Sequence, residues 1–212
     1  MRKTEEKKLS RLHQLLLFDE GFRKQGLLSL AGVDEAGRGP WAGPVVASAV
    51  IVRDPSFENP VDDSKKMTAS SRERAYGEIL KKCEVGVGIV DVEAIDRINI
   101  LEATFQAMNE ALERLGTTPD RVLVDGNKTP RVSFRFEPVI DGDAKSFSIA
   151  CASVVAKVTR DRLMDVFDDT YPQYGFGRHK GYGTREHAEA LKKHGPCKIH
   201  RRSFEPVKNL FR

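Results

Sequence analysis

An α/β fold built on a mixed sheet is what the sequence predicts. Two strand-length apolar runs lie close together near the N-terminus, strand-like and helix-like periodicities alternate after them, and hydrophobic residues make 40% against 31% charged, a globular balance. At 212 residues one compact domain with an appendage is enough, and a chain of this size buries roughly 70% of its unfolded surface.

Taken in order, Leu9, Leu12, Leu15, Leu16 and Phe22 form a helical stripe. The runs Leu27 to Val33 and Val45 to Val52 read as strands joined through the Gly/Pro-rich stretch Gly37 to Pro44. Asp54 to Thr68 is polar and loop-like, and a helix is expected from Ser71 to Lys82 before the alternating strand Val85 to Val90. One long amphipathic helix then carries Ile100, Phe105, Met108, Ala111, Leu112 and Leu115. Arg121 to Val124 is a short strand ending at Asp125, and Ser133 to Ile140 alternates as another. Ser146 to Phe167 is a helix with Ile149, Val154, Val155, Val158 and Leu163 on its apolar face, and Thr184 caps a further helix reaching Lys193.

The three cysteines, Cys83, Cys151 and Cys197, are odd in number and widely spaced, so they give neither a disulfide framework nor a zinc-ligand pattern and fit a reducing compartment. The longest apolar run, Val45 to Val52, is far short of a bilayer span, and the charged start lacks a signal peptide's apolar core. A cytoplasmic protein with no membrane partner is therefore expected. Net charge is +4 overall, but it is unevenly placed: Tyr171 to Arg212 holds ten Lys/Arg against three Glu, a net of +7, together with four of the five histidines. Such a tail on a slightly acidic body suits a polyanion, although a solvated basic helix without a partner would look the same.

The chemistry starts with acids at the ends of predicted elements. Asp34 and Glu35 close the first strand, Asp125 closes a later one, and Asp143 stands just before a long helix. Strand ends distant in sequence converge in space. Carboxylates brought together repel and raise one another's pKa unless cations neutralise them, so a convergent set implies hard ions held by oxygen, Mg2+ or Mn2+. Two such ions about 4 Å apart activate water and stabilise the leaving oxygen of a phosphodiester. Any one of these acids alone, Asp125-Gly126 for instance, reads as a cap or a turn. The loop Gly37-Arg38-Gly39-Pro40 follows the first acids directly and can bring its backbone close to a sugar edge or phosphate, or can be a plain turn. Gly181-Tyr182-Gly183-Thr184 sets an aromatic among Arg178, His179, Lys180 and Arg185, where it can stack on a nucleotide or merely cover the core.

Together these residues resemble a known family. Val33-Asp34-Glu35-Ala36-Gly37-Arg38-Gly39-Pro40 followed by Ala42-Gly43-Pro44-Val45-Val46-Ala47 is similar to the opening signature of ribonuclease HII, the bacterial type 2 ribonuclease H. The likeness continues in order through Asp63-Ser64-Lys65-Lys66, Ile95 to Ile100, Val124-Asp125-Gly126-Asn127, Gly142-Asp143, Ile149 to Asp161, with Ala156 to Asp161 its most characteristic part, His179 to Thr184 and His200-Arg201-Arg202-Ser203-Phe204. It implies a ribonuclease H-like mixed five-stranded sheet with flanking helices and a helical C-terminal segment. It also implies three parts in one compact, monomeric unit: a helical extension over 1–26, a catalytic domain over 27–170 and a basic substrate-covering segment over 171–212.

By the same resemblance Asp34, Glu35, Asp125 and Asp143 would be the catalytic metal-binding carboxylates for two Mg2+ or Mn2+ ions. Gly37, Arg38 and Gly39 would sense the ribose 2′-hydroxyl, Tyr182 would pack on the deoxyribose that follows, and Lys65 would lie near a phosphate. The implied activity is cleavage of the RNA strand of RNA/DNA hybrids and nicking 5′ of single ribonucleotides in duplex DNA, leaving 3′-hydroxyl and 5′-phosphate ends, as in ribonucleotide excision repair. Asp141, two residues before Asp143, competes for the fourth position, and Asp143 is preferred because it follows the family's glycine. Cys151 replaces a common alanine and is expected to be buried and inert. The Gly37-Arg38-Gly39 turn argues against the sister ribonuclease HIII type. A non-catalytic nucleic-acid binding module, or a phosphohydrolase using Gly37 to Pro44 as a phosphate loop, are the alternatives from the residues alone. Outside the core, Gln14-Leu15-Leu16-Leu17-Phe18 resembles the short peptide by which replication proteins bind a sliding clamp. The same stretch also reads as an amphipathic helix packed on the domain.

Overall fold

The computed structural model describes residues 2–130 and 134–211, with side chains described from residue 11 to 210. Ser133 and the side chain of Leu9, both used in the expectations above, lie outside the described residues. Five strands, β1 (Leu30–Ala36), β2 (Val45–Val52), β3 (Cys83–Val90), β4 (Arg121–Asp125) and β5 (Phe136–Val139), form one mixed sheet in the order β3-β2-β1-β4-β5. The first three strands pair antiparallel, whereas β4 lies parallel to β1 and β5 parallel to β4. The expected α/β class with a mixed five-stranded sheet is therefore what the chain forms.

Helices cover both faces, which is why every residue of β2 is buried. On one face lie α3 (Val92–Ile98) and α4 (Ile100–Glu113), enclosing Val33, Val45, Ala47 and Val124 with Ala107 and Met108. On the other lie α1 (Arg2–Arg23), α2 (Ala69–Lys82) and the long α5 (Phe147–Thr170), packed around Val50, Phe147, Val154 and Leu15. The chain ends in α6 (Phe176–His179), α7 (Arg185–His194) and a 3-10 turn over Val207–Phe211. Two contacts are backbone against backbone. A Cβ on Gly32 of β1 would lie 2.1 Å from the Ser148 carbonyl carbon of α5, and Cβ atoms on Gly86 and Gly88 of β3 would each lie 1.9 Å from a carbonyl oxygen of α4. Glycine at these strand positions lets the helices sit directly on the sheet.

Three boundaries differ from expectation. The first strand begins at Leu30 rather than Leu27, because Gly26 at φ +85° ends α1 and leaves Leu28 75% exposed in the connection. The long helix starts at Ile100 as expected and is α4, but the short α3 ahead of it was not foreseen. Asn99, at φ +69°, separates α3 from α4 and caps α4 by accepting from the N–H groups of Leu101 and Glu102 at 2.9 and 3.2 Å, and α4 ends at Glu113, so Leu115 falls past its end. The strand expected over Ser133 to Ile140 is confined to Phe136–Val139, where Pro138 is tolerated because β5 is an edge. Thr184 caps α7 as expected, accepting from His187 N–H at 3.2 Å.

α1 carries the Gln14 to Phe18 stretch and is tied down by it. Leu15 is fully buried, Leu12 and Leu16 pack beside it, and Phe18 and Phe22 cover the Leu30, Leu123 and Ile149 cluster. Only Gln14 and Leu17 of the five face outward. Asp19 completes the attachment: its carboxylate, 1% exposed, accepts from the Ser146 hydroxyl at 2.6 Å and the Ser148 N–H at 2.8 Å, a second cap on the start of α5.

Candidate active site

Sheet register brings the acids together. In the parallel pair β1/β4, Val33 stands opposite Val124, so the next residues, Asp34 and Asp125, are side by side at the carboxyl ends of neighbouring strands. Ligand crevices in open α/β sheets lie at that edge. Asp143 arrives from a different direction, on the 3-10 turn Gly142–Ala144 ahead of α5. The Gly142 N–H donates to Asp125 Oδ1 at 2.7 Å and locks that turn to β4. Carboxylate oxygens of Asp34, Asp125 and Asp143 lie within 4.8 Å of one another. Asp141 is exposed, at φ +54°, and is not one of the three. Glu35 borders the cluster without joining it, since its Oε1 accepts from Arg38 Nη1 at 3.1 Å.

The electrostatics are those of anions held together by the fold. Burial lifts the Asp34 carboxyl well above the usual range, and the charges of Glu35 and Asp125 lift it further. Burial also raises Glu35, against the pull of Arg38, and raises Asp143, with Asp125 and Asp63 adding to it. One cation of the protein reaches in: Lys65 Nζ lies 3.8 Å from Asp143 Oδ2, at the end of a largely exposed side chain, and the surrounding acids hold its pKa up. Asp63, quoted in a motif but given no role from sequence, is a further acid of this neighbourhood. It turns the loop by accepting from Lys65 N–H at 2.9 Å. All donors at the cluster are carboxylate oxygens, the set that hard divalent ions take, so the residues fit Mg2+ or Mn2+.

Two cavities flank the Glu35 to Arg38 segment. One, of about 270 Å³, is walled by Gly37, Arg38, Gly39, Lys65, Lys157 and Tyr182. The other, of about 280 Å³, reaches from Glu35 and Asp125 to Lys128 and α4, and shares Leu101, Phe105 and Lys128 with a groove of about 760 Å³ along α4. The structure thus brings Gly37, Arg38, Gly39, Lys65 and Tyr182 to one hollow beside the acids. Tyr182 is 46% exposed, and its ring faces Gly39, where an added Cβ would lie 3.7 Å from the ring edge.

What sequence reasoning missed is the frame behind this hollow. His179, His187 and His200 are buried and touch one another. His187 Nδ1 bonds the Tyr182 carbonyl at 3.0 Å, His187 Nε2 meets His200 Nε2 at 3.0 Å, and the His179 and His187 rings stack at 4.5 Å. Burial drives both His187 and His200 down to about 4. Arg160 and Arg201 are also buried, at 1% and 0% exposure. The excess charge of the tail is therefore not all surface. Arg201 is interior, and Arg178 and Lys180 pair with Glu186 and Asp165, while Arg185, Lys192, Lys193 and Lys198 remain exposed. The sequence signal available was the density of His and Arg within motifs that the catalytic acids did not need. Cys151 is buried as expected, with its thiol pushed well up by burial, and no described helix is long and apolar enough to cross a membrane.

Comparison with known proteins places this geometry. The sequence model of the family described as Ribonuclease HII matches residues 31–207. A Ribonuclease HII of Ruminiclostridium cellulolyticum is 47% identical over 211 residues, covering 99% of this chain and 82% of that protein. Among solved structures, the ribonuclease H2 of Pyrococcus horikoshii OT3 superposes with a TM-score of 0.71 at 27% identity, covering 86% of this chain and 96% of that one. The RNase HII of Archaeoglobus fulgidus, solved as a complex with PCNA, gives a TM-score of 0.71 at 27% identity, covering 84% of this chain and 96% of that one.

Proposed function

The chain belongs to the ribonuclease HII family and is a ribonuclease H endonuclease, and from that premise we propose that it is a Mg2+- or Mn2+-dependent enzyme that cuts the RNA strand of RNA/DNA hybrids and nicks 5′ of single ribonucleotides in duplex DNA, leaving 3′-hydroxyl and 5′-phosphate ends. The observation that carries the reading is the oxygen cluster of Asp34, Asp125 and Asp143 opening beside the hollow of Gly37, Arg38, Gly39 and Tyr182. Asp34, Asp125 and Asp143 would hold the metal, with Glu35 joining once it leaves Arg38. When bound, the ions supply a nucleophilic water and charge stabilisation for the leaving oxygen.

The chain's own residues do the rest. Gly37 to Gly39 present backbone to the ribose, and only a residue bearing a 2′-hydroxyl makes full use of that contact. Tyr182 offers a flat apolar surface to the adjoining sugar. Lys65 and Lys157, on the wall of the same hollow, attract the phosphates, and Lys128 does so along α4. The exposed Lys192, Lys193 and Lys198 lie on the segment we assign to covering the duplex.

A sliding clamp is the partner proposed for α1. The Archaeoglobus fulgidus relative was solved with PCNA, and the peptide here presents Gln14 and Leu17 outward. Its Phe18 is packed against Phe22 at 5.7 Å between ring centres, so capture by a clamp pocket requires that ring to leave the domain.

The test is a nicking assay on a DNA duplex carrying one ribonucleotide, beside an all-DNA duplex and an RNA/DNA hybrid, with Mg2+ and with EDTA. Cleavage of both ribonucleotide-containing substrates only with metal is expected. Binding without cleavage would favour a non-catalytic module, and cleavage of the all-DNA control would overturn the specificity.

A further inference from the structure

Among the described residues Arg160 and Arg201 are the two largest fully buried side chains, and neither forms an ion pair with an acid there. Every hydrogen bond drawn from them ends on a backbone carbonyl. Arg201 donates to the carbonyl oxygens of Gly37, Arg38 and Gly43 at 2.5, 2.9 and 2.8 Å, and more weakly to Pro44 at 3.3 Å. Arg160 donates to Pro44 at 3.0 Å, Ala42 at 3.1 Å and Lys180 at 2.9 Å. The two guanidinium groups therefore stitch the 37–44 loop to itself and to the Tyr182 loop. Gly37, at φ +97°, is pressed so closely on the pair that a Cβ there would lie 2.0 Å from Arg160 Nε.

Two features exceed what holding a loop demands. A trans peptide plane points its C=O and its N–H in opposite directions. With the Gly37 and Arg38 carbonyls fixed inward on Arg201, the N–H groups of Arg38 and Gly39 are turned outward, toward the hollow that those residues line. Neutral donors could also tie carbonyls, yet here two like charges are buried side by side, an arrangement that costs several kcal/mol in desolvation and repulsion. Burial pushes Arg160 down to about 10 and Arg201 to about 9, so both stay protonated at neutral pH. Their charge stands behind the loop as a fixed positive potential aimed at an anionic ligand.

Resting on the proposed ribonuclease reading, we propose that Arg201, backed by Arg160, is a positioning residue for ribonucleotide discrimination, orienting the Arg38 and Gly39 N–H groups toward the sugar-phosphate and setting the ribose-over-deoxyribose preference without touching substrate. Lysine keeps the charge but loses the planar fork that reaches several carbonyls at once. Losing the fork should free at least one charge-assisted hydrogen bond to the loop.

The test uses Asp125→Asn protein, so that substrate stays intact, with Mg2+ present. Affinity is measured by fluorescence anisotropy for a duplex with one ribonucleotide and for the all-deoxy duplex, with and without Arg201→Lys. The expected result is a fall of about tenfold in the ribo-over-deoxy preference, with all-deoxy affinity changed by less than about twofold and a folded protein by thermal melt. Parallel loss on both duplexes, or an unchanged preference, overturns the proposal. If Arg201→Lys does not fold, Arg160→Lys and the 15N amide shifts of Arg38 and Gly39 in Asp125→Asn protein decide it. Those amides must move more on adding the ribo duplex than the all-deoxy one, and equal movement refutes the assignment. A reference protein with no ribo preference at all refutes the functional reading as well, which the nicking assay on wild type reports separately.

Discussion

Replacing Asp125 by Asn should make the metal-free protein more stable while removing its activity. Its carboxylate sits within 4.8 Å of oxygens from both Asp34 and Asp143, and at an effective dielectric constant of about 20 each such pair repels by about 3 kcal/mol. Partial protonation of the raised Asp34 and Asp143 relieves part of this, leaving a net gain of roughly 1–3 kcal/mol for the variant. Asn keeps the acceptor used by the Gly142 N–H at 2.7 Å, so the turn stays tied. For a chain of this size the gain corresponds to a rise in Tm of roughly 3–10 °C in EDTA. Added Mg2+ should then raise the wild-type Tm well above its EDTA value and move the variant much less. The pH sign is fixed by the direction of the shifts. Because Asp34 and Asp143 titrate higher folded than unfolded, their contribution is present at low pH and lost as pH rises through the raised values, so the gap between variant and wild type must close on acidification. A variant melting at or below wild type in EDTA at pH 7.5, or a wild-type Tm indifferent to Mg2+, would refute the repulsive cluster.

Four further outcomes are expected. Acid should act oppositely at the histidines: His187 and His200, at about 4 when folded against 6.5 unfolded, lose on the order of 3 kcal/mol each as pH falls from 6.5 through 4. His187→Gln should flatten that slope in pH-dependent melts, and an unchanged slope counts against the buried neutral pair. Asp19→Ala, which strips the hydrogen bonds to Ser146 and Ser148, should cost about 2–3 kcal/mol and lower Tm by roughly 5–10 °C, while a shift under 2 °C would mean that α1 holds α5 only through its leucines. Tyr182→Ala should lose single-ribonucleotide cleavage more than duplex binding, and equal losses would place the ring outside recognition. Leu17, 52% exposed, should tolerate alanine with Tm unchanged, so loss of clamp binding in Leu17→Ala by surface plasmon resonance would support the partner, whereas no binding by wild type at tens of micromolar removes it.

Much of this molecule is legible in its sequence because the relevant interactions are local. Asp34, Asp125 and Asp143 each lie close to the boundary of an element, and such boundaries are marked by Gly, Pro and capping residues. What a single sequence hides is where pairing partners come from. α3 spans only Val92–Ile98, too short for a helical period to stand out, so nothing in the pattern marks it ahead of α4. Leu27 and Leu28 are apolar yet form a connection, since a Gly-terminated helix must turn before β1 can start. Arg160 and Arg201 carry no mark of burial in the sequence, because their acceptors are backbone carbonyls, which carry no residue-type signal. The histidines likewise find partners in one another and in carbonyls rather than in acids. The convergence of Glu35 was expected and is met only in part, as Arg38, three residues on, holds it aside.

Gly32 gives the site something like a machinist's reference face. Most helix and sheet layers are spaced by side chains, and their separation drifts whenever a core residue changes volume. Where α5 rests on β1, Ser148 bears directly on the Gly32 backbone with no side chain between them, two residues before Asp34 and five after Asp143. The offset between the strand that carries one acid and the turn that carries another is thereby set by main-chain contact rather than by side-chain volume. The corollary is a brittle point: Gly32→Ala, a change of one methyl group two residues from Asp34, should force α5 away from β1 and lower Tm and nicking activity together, and a variant that keeps both would show that the seat has slack.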